Sequence, residues 1–343
     1  MQPPKGNEDI RLEALTRWVR AQTGVDAAAV PASTDASFRR YFRFRLPSRS
    51  LVAMDAPPER EDSRPFIEIA ERLASAGVPV PEIIAADLAQ GFLLLSDMGR
   101  QTWLDTLNEA NADQAFQRAI ATLILIQQAD STGLPRYDEA LLRRELALFP
   151  DWYIQRHLVE HLRLPLSAAQ APALHDDLRE LEAVLIARAV AQAQVFVHRD
   201  YMPRNLMQGE ADPGVLDFQD AVLGPISYDA VSLFKDAFIS WPEARVEGWL
   251  RQYWAAARDA GLPVPGDVQV FLHDCDLMGA QRHLKVIGIF ARICHRDGKP
   301  RYLTDAPRFF RYLQTVAARH AELAPLRRVL ARLAAAGAPE LAG

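Results

Sequence analysis

Three oxygen-bearing side chains define the chemistry this chain is equipped for: Asp200, Asn205 and Asp217. They lie in the stretch VFVHRDYMPRN and, after a short spacer, GVLDFQD. Val195, Phe196 and Val197 are β-branched or aromatic, as a short buried strand requires, and His198, Arg199 and Asp200 follow where it ends. Val215 and Leu216 form a second apolar pair, expected to deliver Asp217 from a neighbouring strand. Two carboxylates and an amide carbonyl converging from adjacent strand ends suit phosphoryl transfer, which rests on positioning and charge neutralisation. In that reading Asp200 orients a substrate hydroxyl and takes its proton. Asn205 and Asp217 hold Mg²⁺ on the phosphates of ATP as hard oxygen ligands. Singly, the residues have plainer roles: a core histidine at His198, a turn at Asp200, a helix cap at Asn205. Their joint spacing favours the kinase reading.

The order H-x-D-x-x-x-x-N followed by a strand-borne Asp resembles the catalytic loop and metal-binding Asp of the protein-kinase-like superfamily. The continuation LDFQDAVLGPISYDAVSLF is similar to the aminoglycoside-phosphotransferase branch, whose members phosphorylate small molecules. There a Gly-Pro turn and a buried Asp, here Asp229, lead directly into a helix, and the long activation segment of protein kinases is missing. The resemblance implies an α+β, bilobal protein-kinase-like fold. Its smaller lobe, residues 1–97, is an antiparallel sheet covering the nucleotide; residues 98–343 form a helix-rich lobe with the catalytic loop and acceptor pocket.

Size and composition agree with this. A chain of 343 residues, 49% hydrophobic and 24% charged, can bury a substantial core. A net charge of −5 argues against a nucleic-acid binder. The two cysteines, Cys275 and Cys294, are expected to be reduced thiols, as in a reducing compartment. The N-terminal stretch MQPPKGNEDIRLEAL lacks the apolar core of a signal peptide, and no apolar run approaches the roughly 20 residues of a membrane helix. The expectation is a cytoplasmic protein without a membrane partner.

In the smaller lobe, Leu12, Leu15, Trp18 and Val19 share one face of a first helix. Phe38, Phe42, Phe44 and Leu46 then alternate with Arg39, Tyr41, Arg43 and Arg45, predicting a strand with one basic face. The loop before it contains Ser33, Thr34 and Ser37, where a kinase has its glycine-rich phosphate loop; a hydroxyl-lined phosphate cradle and an ordinary hydroxyl-rich turn both fit. Asp55 ends the next strand where the superfamily usually has its phosphate-pairing Lys. Either Arg43 or Arg45 compensates or nucleotide binding departs from the usual pattern, and a catalytically silent nucleotide-binding module stays open on this ground. A helix over 64–76 offers Glu68 and Glu71 as candidates for the usual ion-pair glutamate. Strands at Ile83–Ala85 and Phe92–Leu95 form a hairpin, and Leu95, Ser96, Asp97 and Met98 resemble the hinge that meets the adenine edge. A plain strand-to-helix loop fits the same residues.

The larger lobe reads as mainly helical, and the stretch QRHLKVIGIFARICHRDGKPRYL carries an excess of basic groups. Arg282, Lys285, Arg292 and Arg296 fall along one helical side, flanked by His283 and His295. One reading is a solvated basic face; the other is the wall of an acceptor pocket that meets a carboxylate. A wall of cations disfavours a polycationic aminoglycoside as acceptor. Together with SFRRYFRF, VAMDAPPE and VHRDYMPRN, this segment resembles the bacterial cell-wall-recycling sugar kinases. That resemblance implies an amino-sugar acceptor, N-acetylmuramic acid or N-acetylglucosamine, phosphorylated at its anomeric hydroxyl. It also implies that the absent Lys is a family trait. Kinases for another sugar or an amino alcohol remain the alternative from residues alone.

Overall fold

The computed structural model describes residues 5–33, 38–165, 171–209 and 211–341, with side chains left aside at 5–9 and 33. Thr34 and Ser37, and the side chain of Ser33, therefore lie outside the described residues. The chain forms two compact units: Met1–Asp130 with Pro203–Ala221, and Ser131–Met202 with Val222–Gly343. By compactness the first unit thus extends past the 97/98 boundary expected from sequence.

The first unit runs through α1 (Lys5–Thr23), β1 (Ala29–Ser33), β2 (Arg40–Arg45), β3 (Ser50–Asp55) and α2 (Arg64–Ser75). It continues with β4 (Ile83–Asp87), β5 (Phe92–Ser96), β6 (Gln101–Thr102), α3 (Trp103–Thr106) and α4 (Ala112–Gln128). The second unit then takes α5 (Glu139–Leu146), a segment Phe149–His161 wound with i→i+5 bonds, α6 (Ala171–Ala191) and β7 (Gln194–Val197). Two short strands of the first unit follow, β8 (Leu206–Gln208) and β9 (Gly214–Val215). The second unit ends with β10 (Val222–Pro225), α7 (Tyr228–Phe234), α8 (Glu243–Asp259), α9 (Val268–Asp297), α10 (Ala306–Arg319) and α11 (Ala324–Ala335).

Strands β1 to β5 form one antiparallel sheet in the order β1-β2-β3-β5-β4. The period-2 pattern holds within β2, where Phe42 and Phe44 turn inward against Leu51, Ala53, Phe92 and Leu94, but Phe38, expected on the same face, precedes the strand and is exposed. Leu15 and Val19 of α1 close that core, with Leu12 and Trp18 packed at its edge. Along α2, Phe66, Ile69, Ala70 and Leu73 make the buried stripe. In the second unit, α9 spans 30 residues and is buried through its middle from Cys275 to Phe290. Gly288 is where α9 comes closest to a neighbour, since a Cβ there would sit 2.4 Å from the Leu148 carbonyl.

Strand pairing departs from expectation at one informative place. β7 does not pair with the strand preceding Asp217; it pairs antiparallel with β10, Val197 opposite Val222 and Phe196 opposite Leu223. Residues 214–215 instead form a hairpin with β8, Leu206 opposite Val215, and β8 pairs onward with β6. The strand character of VLGP was hidden by its glycine and proline, which depress strand propensity but are tolerated in a short two-stranded ribbon.

Candidate active site

In the second unit, β7 leads into His198, Arg199 and Asp200, and one buried carboxylate fixes where the strand ends. Asp229 on α7 is fully buried and accepts the backbone N–H of His198 at 2.7 Å and of Arg199 at 2.9 Å. Burial pushes the Asp229 carboxyl up to about 7 against the pull of those two amides, and the charge of Asp200 adds to the rise. Arg199 has φ +76°, a left-handed conformation that costs a non-glycine residue about 1–3 kcal/mol and persists only when its surroundings hold it. Its guanidinium donates to Glu145 of α5 at 2.5 Å. Glu145 is buried and also receives Lys285 of α9 at 2.9 Å, the Tyr137 hydroxyl, and the Gln281 amide at 3.4 Å. Burial alone would push the Glu145 carboxyl up; the charges of Lys285 and then Arg199 outweigh it and hold it below the usual range. Asp200, next along, donates its backbone N–H to His198 Nδ1 at 3.3 Å.

In the first unit, a turn over Pro203–Asn205 and the β8–β9 hairpin bring Asn205 and Asp217 together. The Leu216 N–H donates to the Asn205 carbonyl at 2.9 Å, and Asn205 Nδ2 stands 3.3 Å from Asp217 Oδ2. Gln219 Nε2 donates to the other Asp217 oxygen at 2.9 Å. Asp217 too has a positive φ, +64°, and Phe218 beyond it packs on Phe66 of α2 with ring centroids 4.8 Å apart. The hairpin lies against Met98: a Cβ at Gly214 would meet the Met98 methyl at 2.5 Å. The hinge segment and the Asn205–Asp217 pair thus belong to one packed assembly within the first unit. In this arrangement the Asn205 amide presents its nitrogen to Asp217; turning the amide over would present its oxygen beside the carboxylate instead, giving two hard oxygens side by side.

The remaining expected site residues fall into three groups. At the hinge, Leu95 is buried, Ser96 exchanges bonds with the Glu82 backbone, and Met98 is half-buried. Arg43 chelates Asp97, Nε at 2.6 Å and Nη2 at 2.9 Å, and donates to the Gly99 carbonyl at 2.6 Å. That geometry makes Arg43 a brace between β2 and the hinge. Asp55 is fully buried between two arginines: Arg11 Nε donates to one oxygen at 2.9 Å and Arg40 Nε to the other at 3.1 Å. On α2, Glu68 pairs with Arg72 at the surface rather than with an inner cation.

The basic helix face is not a solvated stripe. Arg282, His283 and Lys285 are all buried, because α9 is enclosed by neighbours along its centre. Lys285 serves Glu145, and also donates to the Tyr228 hydroxyl at 3.0 Å. Arg282 is 2% exposed, faces the charges of Asp229 and Asp236, and has one terminal nitrogen without a hydrogen-bond partner. His283 stacks on Tyr312, and burial foremost holds its pKa well below the usual value. Further along, His295 meets His157 at 3.0 Å, and burial together with His157 and His161 lowers its pKa. Arg292 is partly exposed. Residues 282–285 and 292–295 are therefore two separate environments, about 10–15 Å apart along the axis at 1.5 Å per residue. Glu145 and Gln219 went unremarked in the sequence, and Arg199 was noted only as a residue following the strand. The one signal for Glu145 was a carboxylate set between Leu142 and Leu146 on an apolar helix face.

Comparison with known proteins agrees with this geometry. Residues 28–267 match the model of the phosphotransferase enzyme family. The N-acetylmuramate/N-acetylglucosamine kinase of Pseudomonas aeruginosa is 59% identical over 308 residues, covering 90% of this chain and 89% of that one. Its namesake in Pseudomonas putida is 53% identical over 339 residues, covering 95% and 98%. Among solved structures, a choline kinase from Cryptosporidium parvum superposes with a TM-score of 0.60 at 13% identity, covering 93% of this chain and 97% of that one. A thermostable mutant of aminoglycoside phosphotransferase APH(4)-Ia, in complex with AMP-PNP and hygromycin B, gives 0.57 at 15% identity, covering 89% and 99%. With the protein-kinase-like fold these structures share and relatives this close along nearly its full length, the chain belongs to the phosphotransferase enzyme family, as a sugar-kinase member of it.

Proposed function

We propose that this enzyme transfers the γ-phosphoryl group of ATP to the anomeric C1 hydroxyl of N-acetylmuramic acid and N-acetylglucosamine. The observation that carries the reading is the 59% identity, over 90% of the chain, to a protein named for those two sugars. The retention of Asp200, Asn205 and Asp217 at kinase spacing supports it.

The roles follow from chemistry. Asp200 accepts the hydrogen bond of the sugar C1 hydroxyl, aligns its oxygen with the phosphorus, and takes the proton as the new P–O bond forms. A hemiacetal hydroxyl is more acidic than an ordinary alcohol, so alignment is the larger part of its work. Asn205 and Asp217 are the residues that would hold Mg²⁺. Among the described residues no group of three or more His, Cys, Asp or Glu is arranged for a metal, which fits a cation that takes its other ligands from phosphate and water. When bound, the ion offsets charge on the phosphate oxygens. Leu95 to Met98 receive the adenine, and Asp97 keeps that segment in place through Arg43. Of the α9 residues expected on the acceptor side, Lys285 and His283 serve packing around Glu145 and Tyr312, and we assign acceptor contact to Arg292 and the half-buried His295, with Arg282 as a separate buried cation beside Asp229. No helix among the described residues is long and apolar enough to cross a membrane.

A coupled ADP-release assay over N-acetylmuramic acid, N-acetylglucosamine, choline and an aminoglycoside tests the reading. Turnover on the two N-acetylated sugars alone is expected. Turnover on choline or the aminoglycoside, with none on the sugars, would overturn it.

A further inference from the structure

Directly after Asp217 the chain makes a tight turn whose first central residue, Gln219, reaches back to it. Phe218 is fully buried against the ring of Phe66, and the Ala221 N–H closes on the Phe218 carbonyl at 3.1 Å. With Phe218 anchored and the backbone turning at Gln219 and Asp220, the Gln219 side chain meets both flanking carboxylates. Its Nε2 donates to Asp217 Oδ1 at 2.9 Å and to Asp220 Oδ2 at 3.3 Å. Two carboxylate oxygens on one side settle which end of the amide is which, because the reversed amide would press oxygen against oxygen. The other end, Oε1, is buried and has no hydrogen-bond partner, although the side chain as a whole is only half-buried. A buried amide oxygen without a donor costs about 1–3 kcal/mol, and such a group calls for a water or an ion to explain it.

We infer that Gln219 belongs to the metal site, as a positioning residue for Asp217 and an acceptor for the hydration shell of Mg²⁺, an assignment that rests on the kinase reading above. Mg²⁺ keeps several of its waters when it binds a protein, and each water has protons to donate. Oε1 and Nε2 share one carbon, so the unmatched oxygen is next door to the carboxylate assigned to the ion. At the other Asp217 oxygen, Asn205 Nδ2 stands 3.3 Å from Oδ2. Gln219 and Asn205 thus meet one carboxylate oxygen each, which fixes the carboxylate plane of a residue whose backbone is itself in the left-handed region, φ +64°. An amide does both jobs at once. An ionised glutamate at 219 would accept without donating, and an apolar side chain would do neither. Partners of this kind orient a metal's ligands and tune its affinity.

The test is the Mg²⁺ dependence of ADP binding, read by displacement of a fluorescent ADP analogue without any sugar, in wild type, Gln219→Met and Gln219→Glu. Gln219→Met keeps the length of the side chain and loses both polar atoms, so the Mg²⁺ concentration that half-saturates the response should rise about 10- to 100-fold. Its ADP affinity in EDTA should equal that of wild type, which also shows that the variant has folded. Gln219→Glu keeps an acceptor and should recover part of the Mg²⁺ response. A wild-type Mg²⁺ response in Gln219→Met overturns the inference. So does a loss of ADP affinity of equal size with and without Mg²⁺, the mark of a residue that merely ties the turn, and so does a Gln219→Glu variant no better than Gln219→Met. A wild type whose ADP affinity ignores Mg²⁺ would refute the metal role of Asn205 and Asp217, and this inference with it. A wild type that responds to Mg²⁺ yet phosphorylates no amino sugar would refute the sugar assignment alone.

Discussion

Replacing Glu145 by Gln removes the carboxylate that pairs with both the buried Lys285 and the half-buried Arg199, and the structure lets the cost be worked through. Glu145 is 6% exposed and pairs with Arg199 at 2.5 Å and Lys285 at 2.9 Å, while Lys285 is itself only 9% exposed. Glutamine preserves volume and one acceptor oxygen, but leaves two cations facing each other in a poorly solvated site. Breaking a buried pair in this way costs about 3–5 kcal/mol. At about 2–4 °C per kcal/mol for a domain of 150–250 residues, the melting temperature should fall by roughly 6–20 °C. The catalytic loop is the element released, since Arg199 keeps its left-handed φ only while Glu145 and Asp229 hold it. A loosened loop next to Asp200 should lower kcat about 10- to 100-fold. ATP affinity should be little changed, because the residues assigned to the nucleotide belong to the first unit. Thermal melts and coupled ADP-release kinetics read both quantities. Adding Lys285→Met should cost less than the sum of the single changes, because the second substitution removes one unanswered charge. A Glu145→Gln variant that melts within 2 °C of wild type with normal kcat, or strict additivity with Lys285→Met, would refute the reasoning.

Other outcomes follow from the same geometry. Asp276 is buried among Lys235, Arg319 and His320; burial pushes its carboxyl up, but those partners, Lys235 foremost, hold it at about 2 against 3.8 unfolded. A depressed carboxyl stabilises above its unfolded pKa and loses that share as pH falls through the folded one, here on the order of 2 kcal/mol between roughly pH 5 and 2. Urea midpoints of wild type and Asp276→Asn should therefore converge as pH falls over that window, and a constant gap would count against the assignment. Gly288→Ala places a methyl on the Leu148 carbonyl and should cost about 1–3 kcal/mol by overpacking, seen as a lower melting point; an unchanged one would mean the helices separate freely. Asp229→Ala strands two buried amides, those of His198 and Arg199, at about 1–3 kcal/mol each, and hydrogen exchange at both should accelerate. Protection equal to wild type would remove Asp229 from its role.

How much of this was legible beforehand depends on the range of the interaction. The sheet of the first unit was, because Phe42 and Phe44 announce their face by period-2 alternation and α2 by its 3.6-residue stripe. The Asp200, Asn205 and Asp217 set was legible as spacing, and Asp229 as a buried acid before a helix. What could not be read was which partner each charge takes. Arg43 and Arg39 look alike in SFRRYFRF, yet one braces the hinge through Asp97 and the other faces Glu61. Lys285 and Arg296 share a helix side in the sequence; one lies buried against Glu145, the other pairs at the surface with Asp297. Burial on α9 is set by elements more than a hundred residues away in the chain, such as Phe149–His161, and no local pattern carries that. The pairing of β7 with β10 was missed for the opposite reason, a local signal of Gly and Pro that outweighed the strand it sits in.

The measurement that bears most directly on the whole account is proton–phosphorus correlation NMR of the product formed from ATP, Mg²⁺ and N-acetylmuramic acid, for wild type and Asp200→Asn. The account predicts that the transferred phosphorus couples to the anomeric proton in the wild-type product, and that the variant yields almost none while still binding ATP. Coupling to a proton of another carbon, or an Asp200→Asn variant that makes the same product at a near-normal rate, would contradict it.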